Sequence, residues 1–374
     1  MDWESHALAL AEQATHQSSR WRPAVAGTPR HLFVPRWWAG PDGWTLRDGP
    51  SDEPRWLAAA YSDASLVTRV GPCHADHAKA DDRPSGWPTS SSTLPSLVVR
   101  MFQHARLGAD DTLLDVGTGS GYGAALAACR LGEERVTSVD VDPYLVETAR
   151  DRLDRIGHRP SVQIVDATGD LPGTFDRIVA TVAVRPIPAS WLAALKPNGR
   201  LVTTIAGTSL LITAEKDEDG GATGSVEWDR AGFMSARVGT DYPSGTRQLL
   251  HTARTQDGEQ VTTGRYPVVN IREAWDLSSM LDVTTPGIEH HYEERDDRRV
   301  ALMTHPDGSW ARAVARADAS PTVHQGGPRR LWDALDEIRT YWLMCGELPV
   351  RGARVFIKPD GATYLARGGW RARL

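Results

Sequence analysis

The chain is short of lysine, of cysteine and of long apolar runs. Lys79, Lys196, Lys216 and Lys358 are its lysines, so arginine carries nearly all the positive charge, a bias that points to a GC-rich genome rather than to a function. Net charge is −6 over 374 residues, and no basic block offers the footprint of a polyanion binder. Cys73, Cys129 and Cys345 are odd in number, far apart and without a Cys-x-x-Cys pair, and read as free thiols in a reducing compartment. The opening Met-Asp-Trp-Glu-Ser-His is too polar for a signal peptide. Nothing approaches 18 consecutive apolar residues, so no membrane-spanning helix is expected and a cytoplasmic protein is. The fourteen tryptophans are read as core. The length allows two domains.

What is present is a glycine turn. Residues 113–122 read Leu-Leu-Asp-Val-Gly-Thr-Gly-Ser-Gly-Tyr: an apolar run ending at Asp115, three alternate glycines, then an Ala- and Leu-rich helix over 122–131. Strand, tight turn and helix N-terminus open a βαβ unit. The spacing differs from G-x-G-x-x-G, which argues against a dinucleotide oxidoreductase, and Asp115 at the strand end would repel a phosphate. A cationic ligand such as S-adenosylmethionine suits it better. A second strand (135–139) ends at Asp140, 19 positions after Gly121, the spacing of a ribose-binding acid. A third (161–165) ends at Asp166, placed for an adenine edge. The residues expected around the cofactor are Asp115, Gly117, Thr118, Gly119, Gly121, Tyr122, Asp140, Val141, Asp166, Ala167 and Thr181. This intact set of acids argues against a non-enzymatic scaffold. Further strands at 175–182 and 199–206, alternating with helices at 143–156 and 188–195, predict an α/β, doubly wound, Rossmann-like sheet with its ligand crevice at the strand carboxyl ends.

Flanking motifs carry a family resemblance. Pro29-Arg30-His31-Leu32-Phe33-Val34-Pro35, Ala60-Tyr61-Ser62-Asp63 and Ser90-Ser91-Ser92-Thr93-Leu94-Pro95-Ser96 occur in the order seen in protein-L-isoaspartate O-methyltransferases, and the chain resembles that family over about residues 1–237. The resemblance implies a class I S-adenosylmethionine-dependent methyltransferase that esterifies a carboxylate and yields S-adenosylhomocysteine. A carboxylate acceptor needs no nucleophilic side chain from the enzyme, which fits the want of a persuasive Ser/His/Asp triad. Ser91, Ser92 and Thr93 are the candidate carboxylate-orienting hydroxyls. Thr93 stands where the family keeps a serine two residues before its proline, and Ser92 is the alternative if the alignment slips by one. The same run also reads as a helix N-cap.

Residues 71–88 are expected to form a solvated insertion or lid. His74, Asp76 and His77 within it are metal-ligand types crowded into one loop, and no metal site is predicted. Hairpins are expected at 210–228, 301–315 and 355–366, a closing strand at 232–234, and a helix over 329–345. This gives a catalytic domain over 1–238 and an α+β domain over 239–374 that recognises a peptide. By resemblance, repair enzymes of the family have no such second domain, whereas methyltransferases that accompany ATP-grasp ligases in graspetide maturation do. Residues 326–332 and 352–357 resemble that group. The implied reaction is esterification of an Asp in a crosslinked ribosomal precursor peptide, leading to aspartimide and then isoaspartate, without nucleic acid or membrane. Repair of isoaspartate in damaged proteins is the alternative.

Overall fold

Successive residues of the central strands bury on opposite sides. Leu113, Val179 and Val202 join one apolar cluster, while Leu114, Ile178 and Leu201 join another. Strands apolar on both faces require a sheet covered on both faces. A computed structural model shows that sheet and describes residues 2–40, 43–237 and 247–374, with the side chains of Arg247 and Gln248 left out. Ser161–Ile164, Val136–Asp140, Leu113–Val116, Phe175–Val184 and Leu195–Ile205 lie side by side in that order, all parallel. From Leu113–Val116 the chain winds outward on one side, then returns to pair on the other. The switch of direction falls between Leu113–Val116 and Phe175–Val184, where doubly wound sheets bind ligands.

Beyond Leu195–Ile205 the sheet continues antiparallel through Leu210–Lys216 and Ala222–Arg230. It then takes up strands from the far end of the chain: Arg354–Ile357, Thr363–Arg367 and Trp370–Arg373. Helices Pro95–His104, Tyr122–Leu131 and Pro143–Arg155 fill one apolar cluster. Ala189–Ala194 fills the other together with Trp275–Thr284 and Leu331–Cys345, through Leu281, Trp332 and Leu335 among others. An antiparallel sheet built from Glu289–Arg295, Arg298–Thr304, Trp310–Arg316, Thr322–Gly326 and Gln260–Thr263 packs Met303, Ala313 and Val323 into the same cluster.

The expected division at 238/239 lies outside the described residues. Residues 247–374 do form an additional α+β unit with a five-stranded sheet of its own, but their last three strands extend the catalytic sheet, and Trp275–Thr284 and Leu331–Cys345 pack into the cluster on one face of it. Periodicity locates the 301–315 and 355–366 hairpins but cannot say which sheet they join. A further small sheet, Arg36–Ala39, Thr45–Asp48, Leu66–Val70, Cys73–His74 and Pro88–Ser92, precedes the glycine turn and is not evident in the sequence. Residues 232–234 form no strand; the nearest pairing is a single bridge between Ala183 and Ser235.

The 71–88 segment is fastened rather than free. Asp76 accepts from Arg152 at 2.7 Å and from the Tyr144 hydroxyl at 2.9 Å. Arg36 donates to the Asp76 carbonyl, Trp38 to that of Cys73, and His74 and His77 lean on the Tyr144 ring. Only 79–87 is largely exposed. Tryptophans divide between roles: Trp38, Trp191 and Trp332 are buried, whereas Trp87 and Trp228 are 63% and 66% exposed. The cysteines are free. Among the described residues no helix is long and apolar enough to cross a membrane.

Candidate active site

A cleft of about 320 Å³ opens at the switch point, within the range of small-ligand sites. Its floor is the glycine turn. Gly117 has φ +99°, and a side chain there would meet Val182 at 2.9 Å and Thr181 at 3.0 Å. A Cβ on Gly119 would come within 3.3 Å of the Ser91 carbonyl, so the turn abuts the serine-rich strand and only glycine keeps that passage clear.

The cofactor-side wall is acidic. Asp115 is 2% exposed and accepts from Ser138 Oγ at 2.8 Å. Burial pushes its carboxyl up to about 7, against the opposing pull of the Ser138 bond. Among the described residues its hydrogen-bond partner is that neutral hydroxyl and not a cation. Asp140 accepts from the backbone N–H groups of Gly119 at 3.0 Å and Asp142 at 3.1 Å, and burial raises its carboxyl as well. Asp166 accepts from the N–H and hydroxyl of Thr168 at 2.9 and 2.6 Å, a local turn at the mouth. Thr181 Oγ1 donates to the Gly117 carbonyl at 3.0 Å, and the Thr118 hydroxyl shares a 2.7 Å bond with Ser138. Asp115, Gly117, Thr118, Gly119, Tyr122, Asp140, Val141, Asp166, Ala167 and Thr181 all line the cleft. Gly121 does not. It lies against Ala149 of the next helix, where a Cβ would sit 3.0 Å away, so its place is structural.

The facing wall is the end of Pro88–Ser92 and the residues after it. Pro88, Thr89, Ser90, Ser91 and Thr93 line the cleft, while Ser92 does not. Ser92 Oγ is buried without a hydrogen-bond partner, outside the cleft lining. The helix-cap reading of this run is corrected. Leu94 occupies the N-cap position without a side-chain bond of its own. Ser65 Oγ accepts from Leu94 N at 3.0 Å and Asp63 accepts from Ser96 N at 2.8 Å. Those two residues meet the helix's N–H groups and leave Ser91 and Thr93 open to the cleft.

Sequence reasoning missed the third side, residues 232–237. Arg237 lines the cleft and donates to the Thr89 carbonyl at 3.4 Å. A lone arginine after an irregular stretch carries no local signal. His74, Asp76 and His77 are taken up elsewhere: His74 pairs with Asp142 at 3.2 Å, and Asp76 is held by Arg152. Among the described residues no group of three His, Cys, Asp or Glu side chains is placed to hold a metal ion.

A buried carboxylate lacking a cation, next to a passage that only glycine keeps open, fits a ligand whose positive groups enter beside Asp115. The chemistry of the site therefore suits S-adenosylmethionine and disfavours a diphosphate.

Comparison with known proteins agrees. Residues 78–229 match the family model of protein-L-isoaspartate(D-aspartate) O-methyltransferase. The chain is 29% identical over 246 residues to protein-L-isoaspartate O-methyltransferase 2 of Archaeoglobus fulgidus, covering 63% of this chain and 95% of that one. It is 36% identical over 186 residues to the Ignicoccus hospitalis enzyme, covering 49% of this chain and 71% of that one. A solved structure titled protein-L-isoaspartate O-methyltransferase shares the fold with TM-score 0.53 at 18% identity, over 97% of this chain and 99% of its own. On the sequence matches and the cleft together, the chain belongs to the protein-L-isoaspartate(D-aspartate) O-methyltransferase family and is an S-adenosylmethionine-dependent carboxyl O-methyltransferase.

Proposed function

We propose that the chain methylates the free α-carboxylate of isoaspartyl residues in proteins or peptides. The observation that supports this best is the pairing of walls: the buried Asp115 with the half-buried Asp140 and Asp166 on one side of the cleft, Ser91 and Thr93 on the other. Bound S-adenosylmethionine supplies an electrophilic methyl group on a sulfonium. Asp115 holds the cofactor's positive end, Asp140 its ribose and Asp166 the adenine edge. Ser91 and Thr93 donate to the acceptor carboxylate and aim one oxygen along the line of displacement. Residues 88–93 and 232–237 exclude water, which strengthens the attraction between the opposite charges.

The alternative, esterification of Asp in a crosslinked ribosomal peptide, rests on the C-terminal third being foreign to repair enzymes. That third is part of the fold shared with a solved structure titled as an isoaspartate methyltransferase, so its presence does not favour the peptide-maturation reading. Residues 326–332 and 352–357 have packing roles: Gly326 lies against Trp310, Trp332 is buried, and Arg354–Ile357 is a sheet strand.

The test supplies methyl-labelled cofactor with three peptides: an isoaspartyl peptide, its aspartyl isomer and a side-chain-crosslinked aspartyl peptide. Base-labile label on the isoaspartyl peptide alone is expected. Label confined to the crosslinked peptide would replace this reading with peptide maturation, and label on none would refute both.

A further inference from the structure

The Pro29–Pro35 motif contributes a residue that the cleft does not display. Arg30 is 0% exposed and stands behind the acceptor wall. Its Nη1 donates to the carbonyls of Ala60 at 2.9 Å and Ser62 at 2.8 Å. Its Nη2 donates to those of Ala64 at 2.9 Å, Ser92 at 3.2 Å and Thr93 at 3.2 Å. Nε is buried without a partner, and among the described residues the guanidinium forms no ion pair within 4.0 Å. The nearby Asp63 carboxylate accepts from Ser96 N instead. The guanidinium carbon lies 5.5 Å from the ring centroid of Tyr122, which lines the cleft. Burial draws the group down to about 10, which leaves it charged at neutral pH.

A buried cation whose hydrogen bonds all go to carbonyls, with the Asp63 carboxylate near but not paired with it, is expensive, and the expense falls where an anion is brought close. We propose that Arg30 is a positioning residue for the acceptor carboxylate: it clamps the Ser92 and Thr93 carbonyls behind the wall, so that Ser91 and Thr93 face the acceptor, and it sets a positive charge at their back. The charge part rests on the reading that the acceptor is a carboxylate. Methyl transfer turns that carboxylate into a neutral ester, so a fixed positive charge favours the bound acceptor over the later state. The charge is therefore felt mainly in the peptide KM, and the clamp in kcat.

Two variants separate these parts. Arg30→Lys keeps the charge with fewer, differently placed donors, and Arg30→Met removes both. In steady-state assays with an isoaspartyl peptide, Arg30→Lys should lower kcat about fivefold or more with KM raised less than about threefold, since only hydrogen bonds are lost. Arg30→Met should raise KM about tenfold or more. Both should bind S-adenosylhomocysteine within about twofold of the unaltered protein by calorimetry. Amide hydrogen exchange should accelerate about tenfold at 90–95 and stay unchanged at 113–122. Unaltered KM and kcat in both variants would overturn the proposal. So would cofactor affinity falling in step with turnover, which would make Arg30 a general staple of the fold. Should the unaltered protein leave the isoaspartyl peptide unmethylated, the substrate reading fails by itself; exchange at 90–95 then decides on the clamp, and no change there overturns it.

Discussion

The two walls of the cleft are built in opposite ways. The cofactor wall comes from the tips of neighbouring parallel strands and a contiguous turn, and its ionisable groups, Asp115, Asp140 and Asp166, are acids. The acceptor wall comes from a strand of the small N-terminal sheet, held by Ser65, Asp63 and Arg30 from distant positions, and the buried charge behind it is positive. Each wall thus carries the sign opposite to the reactant it would face. A methyl donor that is a cation and an acceptor that is an anion are brought together by a scaffold that has already separated its own charges.

Ending the chain after residue 237 should have the largest effect. It removes Arg354–Ile357 from the sheet and uncovers the face under Leu281, Trp332 and Leu335. Each such large side chain is worth about 2–5 kcal/mol, so the truncated chain should fail to unfold cooperatively in a thermal melt and should not bind S-adenosylhomocysteine. Retained binding would show that the cofactor wall stands alone. Next is Asp115→Asn, expected to weaken S-adenosylhomocysteine binding about a hundredfold in a calorimetric titration. The same change should raise the melting temperature of the unliganded protein at about pH 8. The reason is the sign of the shift: the carboxyl is raised from 3.8 to about 7, so its stabilising contribution is complete below the lower value and lost as pH climbs through the upper one.

Asp140→Ala should cost about tenfold to a hundredfold in cofactor affinity, because it removes a charged acceptor and frees the Gly119 N–H. Thr93→Ala should reduce kcat about tenfold at unchanged cofactor affinity, with Thr93→Ser largely restoring it, as initial-rate kinetics would show. Ser92→Ala should be nearly silent in both assays. Its hydroxyl has no partner to lose, and a large fall in rate would return the orienting role to Ser92.

The cofactor wall was legible because its signals are local: an apolar run closed by an acid, alternate glycines, and an acid at the end of the next strand. Strand ends shifted by a residue or two, yet the helix over 122–131 and the cleft residues from Asp115 to Asp166 came out together. Gly121 misled because a glycine needed for helix packing looks the same in sequence as one needed for a ligand. Ser91, Ser92 and Thr93 could not be ranked from sequence, because a run of hydroxyls does not show which of them the fold places along the cleft. The acceptor wall's supports were illegible for another reason. Arg30, Ser65 and Arg237 act through contacts between residues far apart in the chain, such as Arg30 with the Thr93 carbonyl, and no periodicity records those. The C-terminal third is legible as an added α+β unit because its hairpins and helix have their own local patterns, but that the 355–366 hairpin extends the catalytic sheet is not, because periodicity does not record which sheet edge a hairpin joins.

The proposed role of Asp115, a buried carboxyl held at about 7 that would take the cofactor's positive group, is tested most directly by counting protons. Calorimetric titrations of S-adenosylhomocysteine in buffers of different ionisation enthalpy give the protons released on binding. With a carboxyl at about 7, close to one proton should leave per ligand at about pH 6 and almost none at about pH 8.5, with affinity falling about tenfold per unit of pH on the acid side. Binding that releases no proton and keeps its affinity down to about pH 5 would contradict the account.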